Sequence, residues 1–109
     1  MKRGDLIIVA LQGDLGKPRP AVIVETDKLD PSDHILVCPG TSFLREAALF
    51  RRVLVAPDSI NNLRIPTQFQ IDRVIGVRRE NCGSSIGRLD SATMEQIDAQ
   101  LMLVLGLAE

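Results

Sequence analysis

A chain of 109 residues holds one domain, 1–109, large enough to bury its own core without a metal or disulfide staple. With 45% hydrophobic and 25% charged residues, and no apolar run near the roughly 18 residues of a membrane span, it is neither disordered nor transmembrane. A net charge of −1 argues against a general nucleic-acid coat.

Strand signals fill the first two-thirds of the chain. Leu6 to Ala10 is a β-rich run that ends in the glycine- and proline-containing loop Gln12 to Pro18. Ala21 to Val24 follows, with Pro20 at its start, where a missing N–H is tolerated. Ile35 to Cys38 is a third strand stopped by Pro39-Gly40, and a short helix is expected over Phe43 to Ala48. Arg52 to Val55 is a fourth strand, and Gln68 to Val77 reads as two short strands or one bent one. The period then changes. Asp90 or Ser91 caps a helix whose Met94, Ile97, Leu101, Val104 and Leu105 form one apolar stripe, with Gly106 as its C-terminal cap. Leu103 and Leu107 fall off that stripe, which suits contact with a second chain. Short strands at regular spacing plus one helix predict a mainly β fold, a small, partly open barrel closed at one end by the helix.

Charge is unevenly spread. Residues 45–88 carry eight Arg against four acids, and residues 89–109 carry four acids and no base. Arginine outnumbers lysine ten to three, and its planar fork suits phosphate or carboxylate, so the middle segment fits RNA, an acidic peptide or a plain solvated surface. Three Phe, no Tyr and no Trp leave few platforms for stacking bases.

Several chemistries are missing. There is no P-loop, dinucleotide fingerprint or serine-nucleophile signature, and Cys38 and Cys82 have no partner at metal-ligand spacing. His34 is the only histidine, so a two-histidine ribonuclease mechanism within one chain is excluded, and a turn or surface role fits it. The cysteine usage fits a reducing compartment. Met1 to Asp5 leads straight into a strand without the apolar core of a signal peptide, so a cytoplasmic location is expected.

Two polar loop motifs remain. In Gly16-Lys17-Pro18-Arg19-Pro20, prolines fix the backbone on both sides of Arg19, either to pre-organise its side chain or simply to make a turn. Cys38-Pro39-Gly40-Thr41-Ser42 offers two hydroxyls and several N–H groups at a strand end, which suits a phosphate or a helix cap. Sequence spacing alone does not bring the two motifs together.

These motifs, in order, resemble the MazF/PemK/Kid toxins, endoribonucleases of toxin–antitoxin pairs that cleave messenger RNA. Arg3-Gly4-Asp5-Leu6 is similar to the family's opening strand, Gly16 to Val24 to its Gly-x-Arg-Pro-Ala-Val-Val strand, and Val37 to Ser42 to its Pro-x-Thr-Ser/Thr turn. Ile86 to Leu89 and the helix ending Leu105-Gly106-Leu107 match the family's end. The resemblance implies an SH3-like antiparallel barrel of the CcdB/PemK type, acting as a homodimer. It implies metal-independent cleavage of single-stranded RNA, without a cofactor, by 2′-hydroxyl attack that leaves 2′,3′-cyclic phosphate and 5′-hydroxyl ends. A cognate MazE-like antitoxin would block the RNA groove. Carried over by motif, Arg19 and Thr41 are the catalytic pair, and Lys17 and Ser42 bind RNA beside them.

The chain also departs from the family. Some members use an Asp and an Arg entering the last strand; aligned on Gln70, Phe69 and Thr67 stand there instead. Strand alternation offers Gln68, Gln70 and Asp72 on one face, the glutamines as base-reading or phosphate-positioning groups and Asp72 as a candidate base. Arg45, Arg51, Arg52, Arg78 and Arg79 are candidates to track RNA phosphates or receive an acidic antitoxin tail. Two other readings stay open: a CcdB-like gyrase poison, which would need a C-terminal Trp that this chain lacks, and a homologue that binds RNA or antitoxin without cutting.

Overall fold

The computed structural model describes residues 1–11, 17–46 and 51–108. Seven strands form one antiparallel sheet: β1 (Asp5–Ala10), β2 (Pro18–Ile23), β3 (His34–Thr41), β4 (Arg52–Val55), β5 (Thr67–Gln70), β6 (Ile75–Arg78) and β7 (Cys82–Arg88). A helix, α1 (Ser91–Val104), follows. Single 3-10 turns at Ile71–Arg73 and Arg79–Asn81 flank β6. The strands run in the order β4-β5-β3-β2-β1-β7, with β6 added beside the first half of β3. The mainly β architecture with a terminal helix is as expected, but the sheet stays open, with β4 and β7 as its ends.

The three apolar runs of the first forty residues lack polar alternation because both faces of the strands are covered. Ile7, Val9, Ala21, Ile23, Ile35 and Val37 bury themselves in one cluster. Their neighbours Leu6, Val22 and Cys38 join Val53, Val55, Phe69, Ile71 and Ile97 in the other. Burial in this second cluster pushes the Cys38 thiol up to about 12, so it is an inert core residue.

The helix closes the second cluster. The Asp90 carboxylate caps it by accepting from the Thr93 N–H at 2.7 Å, and this bond holds Asp90 below its ordinary value. Gly106, at φ +72°, ends it, with the Gly106 N–H donating to the Leu103 carbonyl and the Leu107 N–H to Met102. Ile97 is fully buried, Met94 and Leu101 pack beside it, and Arg3 ties the helix down by reaching Asp98 at 2.5 Å and the Val24 carbonyl at 3.0 Å. The expected stripe is shorter than its spacing suggests. Val104 and Leu105 are exposed together with Met102, Leu103 and Leu107, because the sheet gives the last turn no cover.

The segment Cys82–Arg88, which carries no strand signal in the sequence, is a strand held to β1 through two register shifts. No helix forms over residues 43–46 of the expected Phe43–Ala48 helix; Ala47 and Ala48 lie outside the described residues, as do residues 12–16 of the first loop.

Candidate active site

Arg19 and Thr41 meet because β2 and β3 part company. β2 pairs with β1 along Pro18–Val22 but with β3 only from Ala21 to Ile23, so Pro18 and Pro20 lie where one side of the ladder is open and a missing N–H costs nothing. Beyond the Ala21–Pro39 pair, β3 turns to β5, with Gly40 opposite Phe69 and Thr41 opposite Gln68. Gly40 permits the crossing. A Cβ there would lie 2.7 Å from Thr67 Cγ2, 3.0 Å from Phe69 Cε1 and 3.1 Å from the Pro20 carbonyl oxygen. The strand containing Arg19 therefore begins at Pro18, three residues before the sequence signal.

Arg19 and Thr41 line a hollow of about 150 Å³ together with Phe43, Arg45, Arg52, Gln70 and Arg73. Arg52 arrives on β4 directly opposite Gln70, and Arg73 from the turn after β5. Four guanidiniums and no described carboxylate line the space, so it suits an anion. The buried Thr41 hydroxyl accepts from the Phe43 N–H at 3.1 Å, which occupies one lone pair and leaves its proton to donate.

Arg19 also lines a larger cleft, about 640 Å³, with Lys17, Ser42 and Arg64 among Pro18, Pro20, Ile65 and Ile86. Charged side chains and apolar surface together suit the phosphates and the base faces of an unpaired strand. Asn62 and Leu63 form one wall, and the buried Asn61 amide braces it, accepting from the Asp58 and Leu63 N–H groups and donating to the Ala56 carbonyl.

The remaining sequence candidates separate. Gln70 joins the hollow, whereas Gln68 spends its amide on Arg45 and Arg52 within the chain. Asp72 leaves the face of Gln68 and Gln70, because β5 stops at Gln70 and a 3-10 turn begins. Its carboxylate stands 3.9 Å from Arg51, and the two line a different hollow with Leu103 and Val104. Arg78 and Arg79 sit beside His34, at the other end of β3 from Thr41, roughly 23 Å away at about 3.3 Å per residue. Arg78 pairs with Glu80 at 2.9 Å, and Arg79 reaches the Ser32 carbonyl at 2.6 Å and Glu25 at 3.3 Å. His34 opens β3 beside Asp33, whose carboxyl it holds below the ordinary range. Phe69, at the position aligned with the family acid, is a fully buried core residue. Arg64 and Arg73 were not singled out by sequence; Arg73 becomes visible only once the strand is known to end at Gln70.

Among the described residues, no cluster of three His, Cys, Asp or Glu could hold a metal ion, and no helix is long and apolar enough to cross a membrane. Comparison with known proteins gives one result throughout. Residues 2–105 match the family model described as the PemK-like, MazF-like toxin of type II toxin–antitoxin systems. The chain is 33% identical over 109 residues to a probable endoribonuclease MazF of Mycolicibacterium smegmatis, covering 99% of each. Its fold matches that of the Mycobacterium tuberculosis toxin MazF-mt6, with a TM-score of 0.80 at 22% identity over 96% of this chain and 99% of that one. It also matches an endoribonuclease in complex with its cognate antitoxin from a mycobacterial species, with a TM-score of 0.81 at 21% identity over 100% and 98% of the two chains. The chain belongs to the PemK-like, MazF-like family of type II toxin–antitoxin toxins.

Proposed function

We propose that this chain is an endoribonuclease toxin that cuts single-stranded messenger RNA at a short recurring sequence, without a metal, and is silenced by a cognate antitoxin. The observation that carries this reading is the convergence of Arg19 and Thr41 on one hollow lined by four guanidiniums. Attack of a 2′-hydroxyl on the adjacent phosphorus, with its proton passing to water, builds negative charge on the equatorial oxygens, and breaking the bond to the 5′-oxygen, which takes a proton from water, leaves a cyclic phosphate and a 5′-hydroxyl. Guanidiniums aimed at that charge act without reorganising, and together they bring the positive charge that a metal ion would supply. A guanidinium has five donors and no acceptor, so the role of Arg19 is to grip the phosphate and neutralise its charge. Thr41 donates its proton to a phosphate oxygen, and Lys17, Ser42 and Arg64 guide the strand along the larger cleft.

The same basic hollow suits the acidic segment of an antitoxin, which would exclude RNA by occupying it. The exposed apolar end of α1, Met102 to Leu105 and Leu107, supports a second copy as a further partner. Kinship with a probable endoribonuclease MazF at 33% identity supports RNA cleavage as the activity.

The test is cleavage of a long mixed-sequence RNA in EDTA, with the ends of the products identified. Expected are cuts at one short motif, cyclic phosphate on the upstream fragment and 5′-hydroxyl on the downstream one. Thr41→Val, which keeps the side chain's shape and removes its hydroxyl, is expected to lower kcat about a hundredfold, the cost of one lost transition-state donor. Intact RNA after incubation with folded wild-type protein would refute the reading.

A further inference from the structure

Resting on the ribonuclease reading, we propose that Gln68 is a positioning residue that holds the segment after β3 so that the Thr41 hydroxyl faces the scissile phosphate. Gln68 lies opposite Thr41 in the sheet and is 9% exposed. Its Oε1 accepts from the Arg45 N–H at 2.9 Å and from Arg52 Nη1 at 3.0 Å, while its Nε2 donates to the Arg45 carbonyl at 3.1 Å. The amide thus pairs with Arg45 as a strand residue would, exchanging both backbone bonds. Only one orientation satisfies it, since two donors face one end and a carbonyl faces the other. Arg52 extends the clasp, its Nη1 donating also to the Phe43 carbonyl at 3.0 Å.

The clasp bears on Thr41 because, among the described residues, it supplies the hydrogen bonds that tie this segment to the sheet. Ser42 to Glu46 is exposed, with Phe43 at 71%, so it has little apolar burial to keep it in place. Phe43 is held at its carbonyl by Arg52, and its N–H sits on Thr41 Oγ1. With that lone pair taken, the hydroxyl keeps its proton to donate, and a phosphate oxygen entering the hollow would be an acceptor for it. Without the clasp, the Phe43 N–H leaves, the hydroxyl turns freely, and Arg45 leaves the wall of the hollow. Gln68 therefore works through Thr41 rather than by reading a base.

A double-mutant cycle on RNA cleavage in EDTA tests this. Gln68→Ala is expected to lower kcat about 30-fold and Thr41→Val about 100-fold, with the double variant also near 100-fold instead of the roughly 3,000-fold of independent sites. Gln68→Glu keeps the acceptor for Arg45 and Arg52 but loses the donor, and is expected to recover part of the Gln68→Ala loss. Should Gln68→Ala fail to fold, Gln68→Asn, one methylene too short to span the gap, replaces it in the cycle. Multiplying losses, or a Gln68→Glu variant no better than Gln68→Ala, would overturn the positioning role while leaving the ribonuclease reading intact. A wild type that leaves RNA uncut would overturn both.

Discussion

Arg19→Ala is expected to lower kcat/KM for RNA cleavage at least about a hundredfold, or roughly 2.7 kcal/mol of transition-state stabilisation, with little change in Tm. The hollow holds three other arginines, so the size of the effect rests on what makes Arg19 different. Arg45 and Arg73 line the small hollow and not the larger cleft, whereas Arg19 lines both, so a strand bound across the two spaces would meet Arg19 in each. Its backbone is fixed by a proline on either side and by the pairing with Val9, so removing the side chain leaves the strand in place. Arg19→Lys keeps the charge and loses the planar fork, and is expected to recover about tenfold of the loss. Steady-state cleavage of a short RNA containing the cut site, with Tm measured alongside, checks both. An Arg19→Ala variant within about threefold of wild type would move the transition-state charge to another arginine.

Most of the fold was legible because short runs of β-branched and aliphatic residues bounded by turn signals mark strands whether one face is covered or both. Leu6 to Ala10, Ile35 to Cys38 and Arg52 to Val55 are strands in the structure, and the Asp90 cap and Gly106 stop bound the helix as read. The misses have local causes. Cys82–Arg88 is rich in glycine and serine, with little intrinsic β preference, and is a strand only because β1 offers an edge to pair with. The prolines at 18 and 20 hid the start of β2, since their tolerance depends on an open ladder side that only topology creates. The helix expected after Thr41 does not start because the Arg45 N–H, which would close its first turn, is taken by the Gln68 amide.

The site was legible as motifs and illegible as geometry. Nothing in the spacing of Arg19 and Thr41 says that β2 and β3 diverge between them, and the register that sets Gln68 opposite Thr41 and Arg52 opposite Gln70 is a property of strand pairing. Counting arginines in the middle segment could not distinguish Arg45 and Arg52, which reach the hollow, from Arg78 and Arg79, which bind acids and carbonyls at the far end of β3. Alternation placed Asp72 beside Gln70 by assuming a strand that runs on. The chain instead turns at Ile71, which buries that side chain in the core and sends Asp72 to Arg51.

Gly87→Ala is expected to destabilise the fold by about 2–3 kcal/mol, at roughly 4–8 °C of Tm per kcal/mol. A Cβ on Gly87 would stand 2.5 Å from the carbonyl oxygens of both Ile60 and Asn61, so backbone must move on one side or the other. Neither side yields cheaply. On the loop side, Asp58 Oδ1 accepts from the Ile60 N–H at 2.8 Å and the Asn61 N–H at 2.7 Å, and the 2% exposed Asn61 amide ties Asp58, Ala56 and Leu63 together. Shifting the loop leaves that amide buried without its partners. On the strand side, the Arg88 N–H donates to the Ile60 carbonyl and the Ile86 carbonyl accepts from Asn62, so β7 cannot retreat without losing the bonds that seat the loop. Gly76→Ala is the control, because its Cβ would meet only Leu36 Cδ2 at 3.8 Å and is expected to be near neutral. Thermal unfolding of the two variants decides the matter. A Gly87→Ala protein melting alongside Gly76→Ala would mean that the loop moves as a unit, and the wall it gives to the larger cleft would then be adjustable rather than fixed.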